Sequence, residues 1–179
     1  QKFQEYDPEL AKELLAEAGY DESNPLTLRY KYSNNSIHAD VAQMLEQMWK
    51  AVGVNIELDV VESGVFYDQV DQGDFDLARY GLSCTNDPSE FLNQWTKAMQ
   101  PVPAVADDAY DQMMTDVTKI IDRTDYMNEL HEIEKYLVED QVYVIPLFDF
   151  NEPALKSEHL KGVYMVPGDV PVYSYAYFE

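Results

Sequence analysis

Cys84 is the residue best placed to do covalent chemistry. It lies in a short polar loop, Ser83-Cys84-Thr85-Asn86, between a strand pattern and a helix start. A thiol nucleophile needs a base within hydrogen-bond reach and a third group to orient that base. His38, His131 and His159 fall in unrelated predicted elements, and no motif brings any of them to Cys84. A small, inert, partly buried thiol is the simpler account. His131-Glu132 lacks the second histidine of the zincin helix. Asp68, Asp71, Asp74 and Asp76 lie close together but not in EF-hand order, and read as helix-end and strand-edge carboxylates. With 34 Asp and Glu in the chain, pairs suited to glycoside hydrolysis arise by chance, and none is singled out. No glycine-rich loop ends in Lys-Ser or Lys-Thr, so no ATP site is expected. The sequence therefore assigns no catalytic residue, no metal ligand and no cofactor, and the expectation is a protein that is not an enzyme.

Binding is the better-supported chemistry, and the elements around Cys84 show why. Phe75, Leu77 and Arg79 alternate with Asp76, Ala78 and Tyr80, the period-2 pattern of a strand. Gly81 breaks the run, Leu82 to Asn86 form the loop, and Asp87-Pro88-Ser89-Glu90 starts a helix. Asp87 suits the N-cap, Pro88 the first helical position and Glu90 the acid of a capping box. A loop between the carboxyl end of a strand and a helix presents backbone N–H groups at the sheet edge, where open α/β sheets bind ligands. Tyr80 or Leu82 can supply an apolar wall. Ser83, Cys84, Thr85 and Asn86 offer small polar groups and backbone. Tyr32 and Asn34 end another strand and can line the same cleft, although turn formation is the simpler role for Asn34 and its neighbour Asn35.

Three stretches in one order across nearly the whole chain carry a resemblance. They are residues 6–20 (YDPELAKELLAEAGY), the Gly73–Leu92 stretch (GDFDLARYGLSCTNDPSEFL) and Val144-Ile145-Pro146-Leu147-Phe148, the last followed by Leu160-Lys161-Gly162-Val163. The chain resembles the second lobe of the bacterial family 5 solute-binding proteins, which serve oligopeptide and dipeptide ABC importers. The resemblance implies an α/β fold with a mixed, mostly parallel sheet flanked by helices, one lobe of a type II periplasmic-binding-protein-like fold. Residues 1–179 are then a single C-terminal ligand-binding lobe of a larger two-lobed protein, with the 166–179 tail packing toward the first lobe. It further implies a peptide or related small solute as ligand, ABC permease subunits as partners, and an extracytoplasmic address, periplasmic or lipid-anchored. Some peptide receptors of the family carry an Arg where Arg79 stands, and its guanidinium can meet a ligand carboxylate bidentately. A surface ion pair is the plainer role for the same side chain. Oligopeptide receptors of the family also hold the peptide's α-ammonium with an Asp in this loop. Here the loop is about one residue shorter and Cys84 or Thr85 takes that place, so recognition of a free N-terminus is not implied. A non-peptide solute such as a sugar or nickel chelate is one alternative ligand class; a secreted hydrolase domain using acidic residues is another function class.

Composition narrows the partners. The chain has 179 residues, 46% of them hydrophobic and 26% charged, enough to bury a core as one domain by length. A formal net charge of −22 argues against a nucleic-acid partner and against anionic lipid. It reads as a solvated, self-repelling surface. One cysteine excludes an internal disulfide, and no segment is long and apolar enough to span a membrane as a helix. The start carries no Met, signal peptide or lipobox cysteine, as expected of a processed or excised piece of an exported protein.

The remaining elements follow from periodicity. Helices are expected at 7–18, 37–52, 64–72 and 87–99, with two more carrying Tyr110 to Ile121 and Tyr126 to Leu137. Strands are expected at 26–32, 54–61, 143–150, 152–155, 162–165 and 172–178. The first two strands flank the 37–52 helix as a right-handed strand–helix–strand unit. In an extended tail Tyr173, Tyr175 and Tyr177 share a face, which either half-buries as an ordinary strand or covers surface meant for a neighbour.

Overall fold

A computed structural model describes residues 6–82, 87–99, 105, 107–149, 155–166 and 170–179. The chain divides into two compact units, 1–81 with 102–104, and 82–101 with 105–179.

The first unit is built on three parallel strands in the order β2-β1-β3: β1 (Thr27–Ser33), β2 (Asn55–Val61) and β3 (Leu77–Ala78). Helix α1 (Pro8–Glu17) precedes β1, α2 (Ser36–Lys50) links β1 to β2, and α3 (Ser63–Asp71) links β2 to β3. The caps form from the residues the sequence offers. Asp7 accepts from the Leu10 amide at 2.9 Å, and Asn35 accepts from the Ile37 amide at 2.9 Å. Side chains on β1 alternate between two covers. Tyr30 and Tyr32 pack with Ala42, Trp49 and Leu45 of α2, whereas Lys31 reaches Gln69 of α3. The two helices thus lie on opposite faces, as right-handed crossovers to strands on either side of β1 require.

Sequence periodicity and packing agree only in part on the inward side of α2. Of the periodic residues Ile37, Val41, Met44, Leu45, Met48 and Val52, Leu45 and Val52 pack inward beside Ala39, Ala42 and Trp49, while Ile37, Met44 and Met48 are about half exposed. The fully buried Ala42 has a small side chain that lets the helix approach the two tyrosine rings closely. On α1, Leu15 packs inward while Leu10 and Leu14 stay exposed.

Lys31 is 1% exposed, yet its ammonium has a partner for each of its three protons: Asp59 at 2.9 Å, Asp74 at 3.0 Å and Gln69 at 2.6 Å. Burial works against the charge, but the hydrogen bonds the ammonium donates to Asp59 and Asp74 outweigh that and raise the Lys31 pKa. Arg29 meets Asp74 at 2.9 Å, and its backbone N–H donates to Asp76 at 2.7 Å. Asp74 and Asp76, read from the sequence as helix-end and strand-edge carboxylates, are therefore clamps that bring the start of β3 to β1. The same clamps explain why the 75–79 strand shrinks to Leu77–Ala78. Gly73, with φ of 72°, turns the chain out of α3, and Asp74 and Asp76 hold it by side chains rather than by ladder bonds.

The second unit contains α4 (Pro88–Asn93), α5 (Asp108–Val117) and α6 (Arg123–Lys135), the last continuing into a π-helical turn at Tyr136–Asp140. Leu92, Tyr110, Met114, Val117, Leu130, Ile133 and Leu137 form its core. Each of these side chains contributes roughly 1.5–3 kcal/mol on burial. Asp87 caps α4 through the Ser89 amide at 3.0 Å, and the same carboxylate accepts from the Tyr126 hydroxyl at 2.9 Å and from Arg123 at 3.2 Å. Its hydrogen bonds with Ser89, Tyr126 and Arg123 hold the Asp87 carboxyl well below the usual range. The π-helical turn stops at Val142, which adopts φ of 53°, a position glycine usually takes. The Tyr143 amide then bonds back to the Leu137 carbonyl at 3.0 Å.

The expected strand over 143–150 does not form in its described part, 143–149. A strand needs a pairing partner, and none of the described residues provides one; Ile145, Leu147 and Phe148 remain about half exposed. Of the expected 152–155 strand, residues 152–154 lie outside the described residues and Leu155 is unpaired. Four short strands close the chain: β4 (Leu160–Lys161), β5 (Tyr164–Val166), β6 (Val170–Val172) and β7 (Tyr177–Phe178). They pair antiparallel as β4 with β7 and β5 with β6. The continuous 172–178 strand is broken by a turn in which the Ala176 amide bonds to the Tyr173 carbonyl at 2.9 Å. Gly162 is obligatory here, since a Cβ would stand 1.9 Å from the Tyr175 carbonyl oxygen.

Candidate functional site

The candidate site begins at the carboxyl ends of β1 and β3. The Arg79 amide extends their pairing by donating to the Lys31 carbonyl at 2.8 Å, which fixes where the chain leaves the sheet. Beyond that bond the side chains alternate. Arg79 follows Leu77 toward the α2 side, and Tyr80 turns to the α3 side, where its ring meets Tyr67 edge-on at 6.1 Å. The Arg79 guanidinium folds back over Gly81: a Cβ at that position would lie 2.7 Å from Nη1 and 3.0 Å from Nη2. A side chain at position 81 would have to push the guanidinium from this place. Asn34 sits beside this rim, its amide bonded to the Val61 carbonyl at 2.8 Å and its side-chain oxygen accepting from Ser63 at 3.5 Å. It joins the ends of β1 and β2, the turn role anticipated for it, while remaining exposed.

The Arg79 charge also acts on groups of the α2 side. The His38 pKa is lowered, first by burial and then by the positive charge of Arg79, against an opposing hydrogen bond with Ser33. Ser33 Oγ and His38 Nδ1 lie 2.8 Å apart. The Tyr30 pKa is raised by burial, a rise that Arg79 partly offsets and Tyr32 adds to. Arg79, His38, Tyr30 and Tyr32 therefore share one electrostatic neighbourhood on the α2 side. A cation beside an imidazole of lowered pKa and a buried phenol suits an incoming anion such as a carboxylate.

Residues 1–100 match the profile of the bacterial extracellular solute-binding proteins, family 5 (middle region). The chain belongs to that family. This family 5 chain is 32% identical over 148 residues to the periplasmic oligopeptide-binding protein OppA of Escherichia coli K12, an alignment covering 81% of the chain and 27% of that relative. Among solved structures it is similar to the Escherichia coli murein tripeptide binding protein MppA, with a TM-score of 0.81, 27% identity, and coverage of 98% of the chain and 36% of the other. It is also similar to Haemophilus influenzae OppA in complex with the peptide RPPGFSPFR, with a TM-score of 0.77, 27% identity, and coverage of 96% and 34%. The family 5 chain thus spans about a third of the length of the relatives it matches. The α/β, type II periplasmic-binding-protein-like fold expected from the sequence agrees with these neighbours, and the family and its named relatives are binding proteins rather than enzymes.

Of the residues read from the sequence, the family 5 fold brings Arg79, Tyr80 and Gly81 to one rim with Tyr32 and Asn34. Tyr32 is 6% exposed, so it serves as a wall behind the rim rather than a contact surface. Leu82 is half-buried. Ser83, Cys84, Thr85 and Asn86 lie outside the described residues. Sequence reasoning missed His38 and Tyr67. His38 was set aside because it lay far from Cys84, yet helix position 38 follows β1 by one turn and meets its last residue. Tyr67 gave no signal beyond helical spacing.

Proposed function

We propose that the chain is the C-terminal lobe of a solute-binding component of an ABC importer, and that the intact protein captures oligopeptides between two lobes by hinge closure. In this reading it is not an enzyme. The protein works outside the cytoplasm, periplasmic or lipid-anchored, and hands its cargo to ABC permease subunits. The observation that carries the reading is the Arg79 guanidinium laid over Gly81 at the carboxyl edge of a parallel sheet, in a fold shared with a solved peptide complex. Arg79 receives the ligand carboxylate, with His38 beside it. Tyr80 and Leu82 give apolar contact, Ser83, Cys84, Thr85 and Asn86 supply small polar and backbone groups, and Tyr32 and Asn34 support the rim. Backbone hydrogen bonds to an extended ligand give affinity without demanding particular side chains.

The tail fits the same proposal. Tyr173, Tyr175, Tyr177 and Phe178 are 60%, 72%, 58% and 77% exposed, more apolar surface than a short terminal segment usually leaves in water. We assign it the first lobe of the same protein as cover.

Calorimetric titration with tripeptides and tetrapeptides tests the reading. The two-lobed protein is expected to bind with micromolar or tighter affinity, and residues 1–179 alone to show almost none, because half a cleft cannot surround a ligand. Micromolar binding by residues 1–179 alone would contradict it, as would the absence of binding by the two-lobed protein.

A further inference from the structure

The geometry points to Tyr67 as a specificity-determining residue that, together with Tyr80, grips one apolar or aromatic side chain of the ligand. The inference rests on the peptide-binding reading and adds to it a side-chain preference. Tyr67 lies on α3, one turn in from the carboxyl end of β2, and is 56% exposed. A core tyrosine would be covered; this one is more than half exposed, with two aromatic rings against its own. Phe66 stands edge-on to it at 5.2 Å, and Tyr80 at 6.1 Å with the ring planes at 90°. Phe66 is itself 3% exposed, so Tyr67 is braced against an immobile ring. A perpendicular pair of this kind presents a ring face and a ring edge together, which is the complement of another aromatic or branched apolar group.

Position relative to Arg79 sets the rest. Tyr80 is the next residue, and it points to the α3 side while Arg79 points to the α2 side. A ligand whose carboxylate meets Arg79 at the rim runs past Tyr80 and places a side chain against the Tyr67 ring. The site is therefore two-sided: a charge anchor facing α2 and an aromatic grip facing α3. Backbone binding makes the receptor tolerant, and the grip gives it a bias.

The test uses the two-lobed protein and four probes, Ala-Ala-Ala, Phe-Ala-Ala, Ala-Phe-Ala and Ala-Ala-Phe, titrated by calorimetry. At one position Phe is expected to raise affinity about tenfold over Ala. Tyr67→Ala removes that gain and weakens Ala-Ala-Ala much less than it weakens the favoured Phe peptide, while Tyr67→Phe keeps the gain. If Tyr67→Ala preserves the gain, or weakens all four peptides equally, the grip is refuted and the receptor reading stands. If the unmutated protein binds none of the four, both fall together.

Discussion

Replacing Arg79 by alanine in the two-lobed protein lowers its affinity for a peptide with a free C-terminal carboxylate by about a hundredfold, near 2.7 kcal/mol. The size follows from what is lost. A guanidinium that meets a carboxylate in a closed, water-poor cleft makes charge-assisted, bidentate hydrogen bonds, and deleting one partner leaves the other charge poorly compensated. Arg79→Lys restores only part of the affinity, because an ammonium keeps the charge but not the planar fork. The same peptide carrying a C-terminal amide binds the unmutated protein weakly and is indifferent to the substitution. The thermal midpoint of the ligand-free variant should stay close to that of the unmutated protein, since Arg79 is half-buried at a rim and outside both cores. Unchanged affinity for the free-acid peptide in Arg79→Ala would remove the anchor from the account.

The largest effect on stability is expected at Asp107. This carboxylate caps α5 by accepting from the Ala109 and Tyr110 amides at 2.8 and 3.2 Å, and its other oxygen accepts from the Tyr136 and Tyr143 hydroxyls at 2.7 and 3.2 Å. One side chain thus joins the start of α5, the π-helical turn and the segment beyond Val142. Asp107→Ala strands two amides and two half-buried phenols, and should cost the chain about 3 kcal/mol in urea unfolding. Asp107→Asn keeps an acceptor at the cap and should cost about half of that. The pH dependence carries the same signature. Burial raises the Asp107 pKa, but the hydrogen bonds from Tyr136, Tyr110, Ala109 and Tyr143 outweigh it and hold the group below its ordinary value. The unfolded chain therefore takes up the proton first. The contribution of Asp107 is complete above about pH 4 and is lost as pH falls through the lowered folded value. Tyr136 shows the opposite sign. The bond to Asp107, together with burial, pushes its phenol up to about 12, so its contribution is intact below pH 10 and fades as pH rises toward that value. In Asp107→Ala the Tyr136 phenol should return toward 10, seen as earlier tyrosinate absorbance. A titration curve identical in the two proteins would refute the network.

Local features were legible in the sequence because their causes are local. Asp7, Asp87 and Pro88 announced helix starts through capping chemistry, and those helices begin where the caps stand. The strand–helix–strand unit around α2 followed from an apolar period closed by Gly53. What failed depended on partners remote in sequence. The inward stripe of α2 was set by how closely Ala42 approaches Tyr30 and Tyr32, which periodicity cannot weigh. The 143–150 segment has the composition of a strand, but composition does not supply a neighbour. At the site, Arg79 and Gly81 were visible as a break between a strand and a loop. His38 and Tyr67 were not, because their meaning comes from strand pairing that brings positions 33, 67 and 80 to one edge. Asp74 and Asp76 were read as helix-end and strand-edge carboxylates; what the sequence did not show was that their partners are Lys31 and Arg29 of β1.

A crystal structure of the two-lobed protein with the solute it retains from expression, or with a bound tetrapeptide, tests the central claim most directly. The account predicts a ligand lying along the carboxyl edge of β1 and β3, its carboxylate within hydrogen-bond distance of Arg79. A ligand seated elsewhere, or a rim filled by the protein's own side chains, would contradict it.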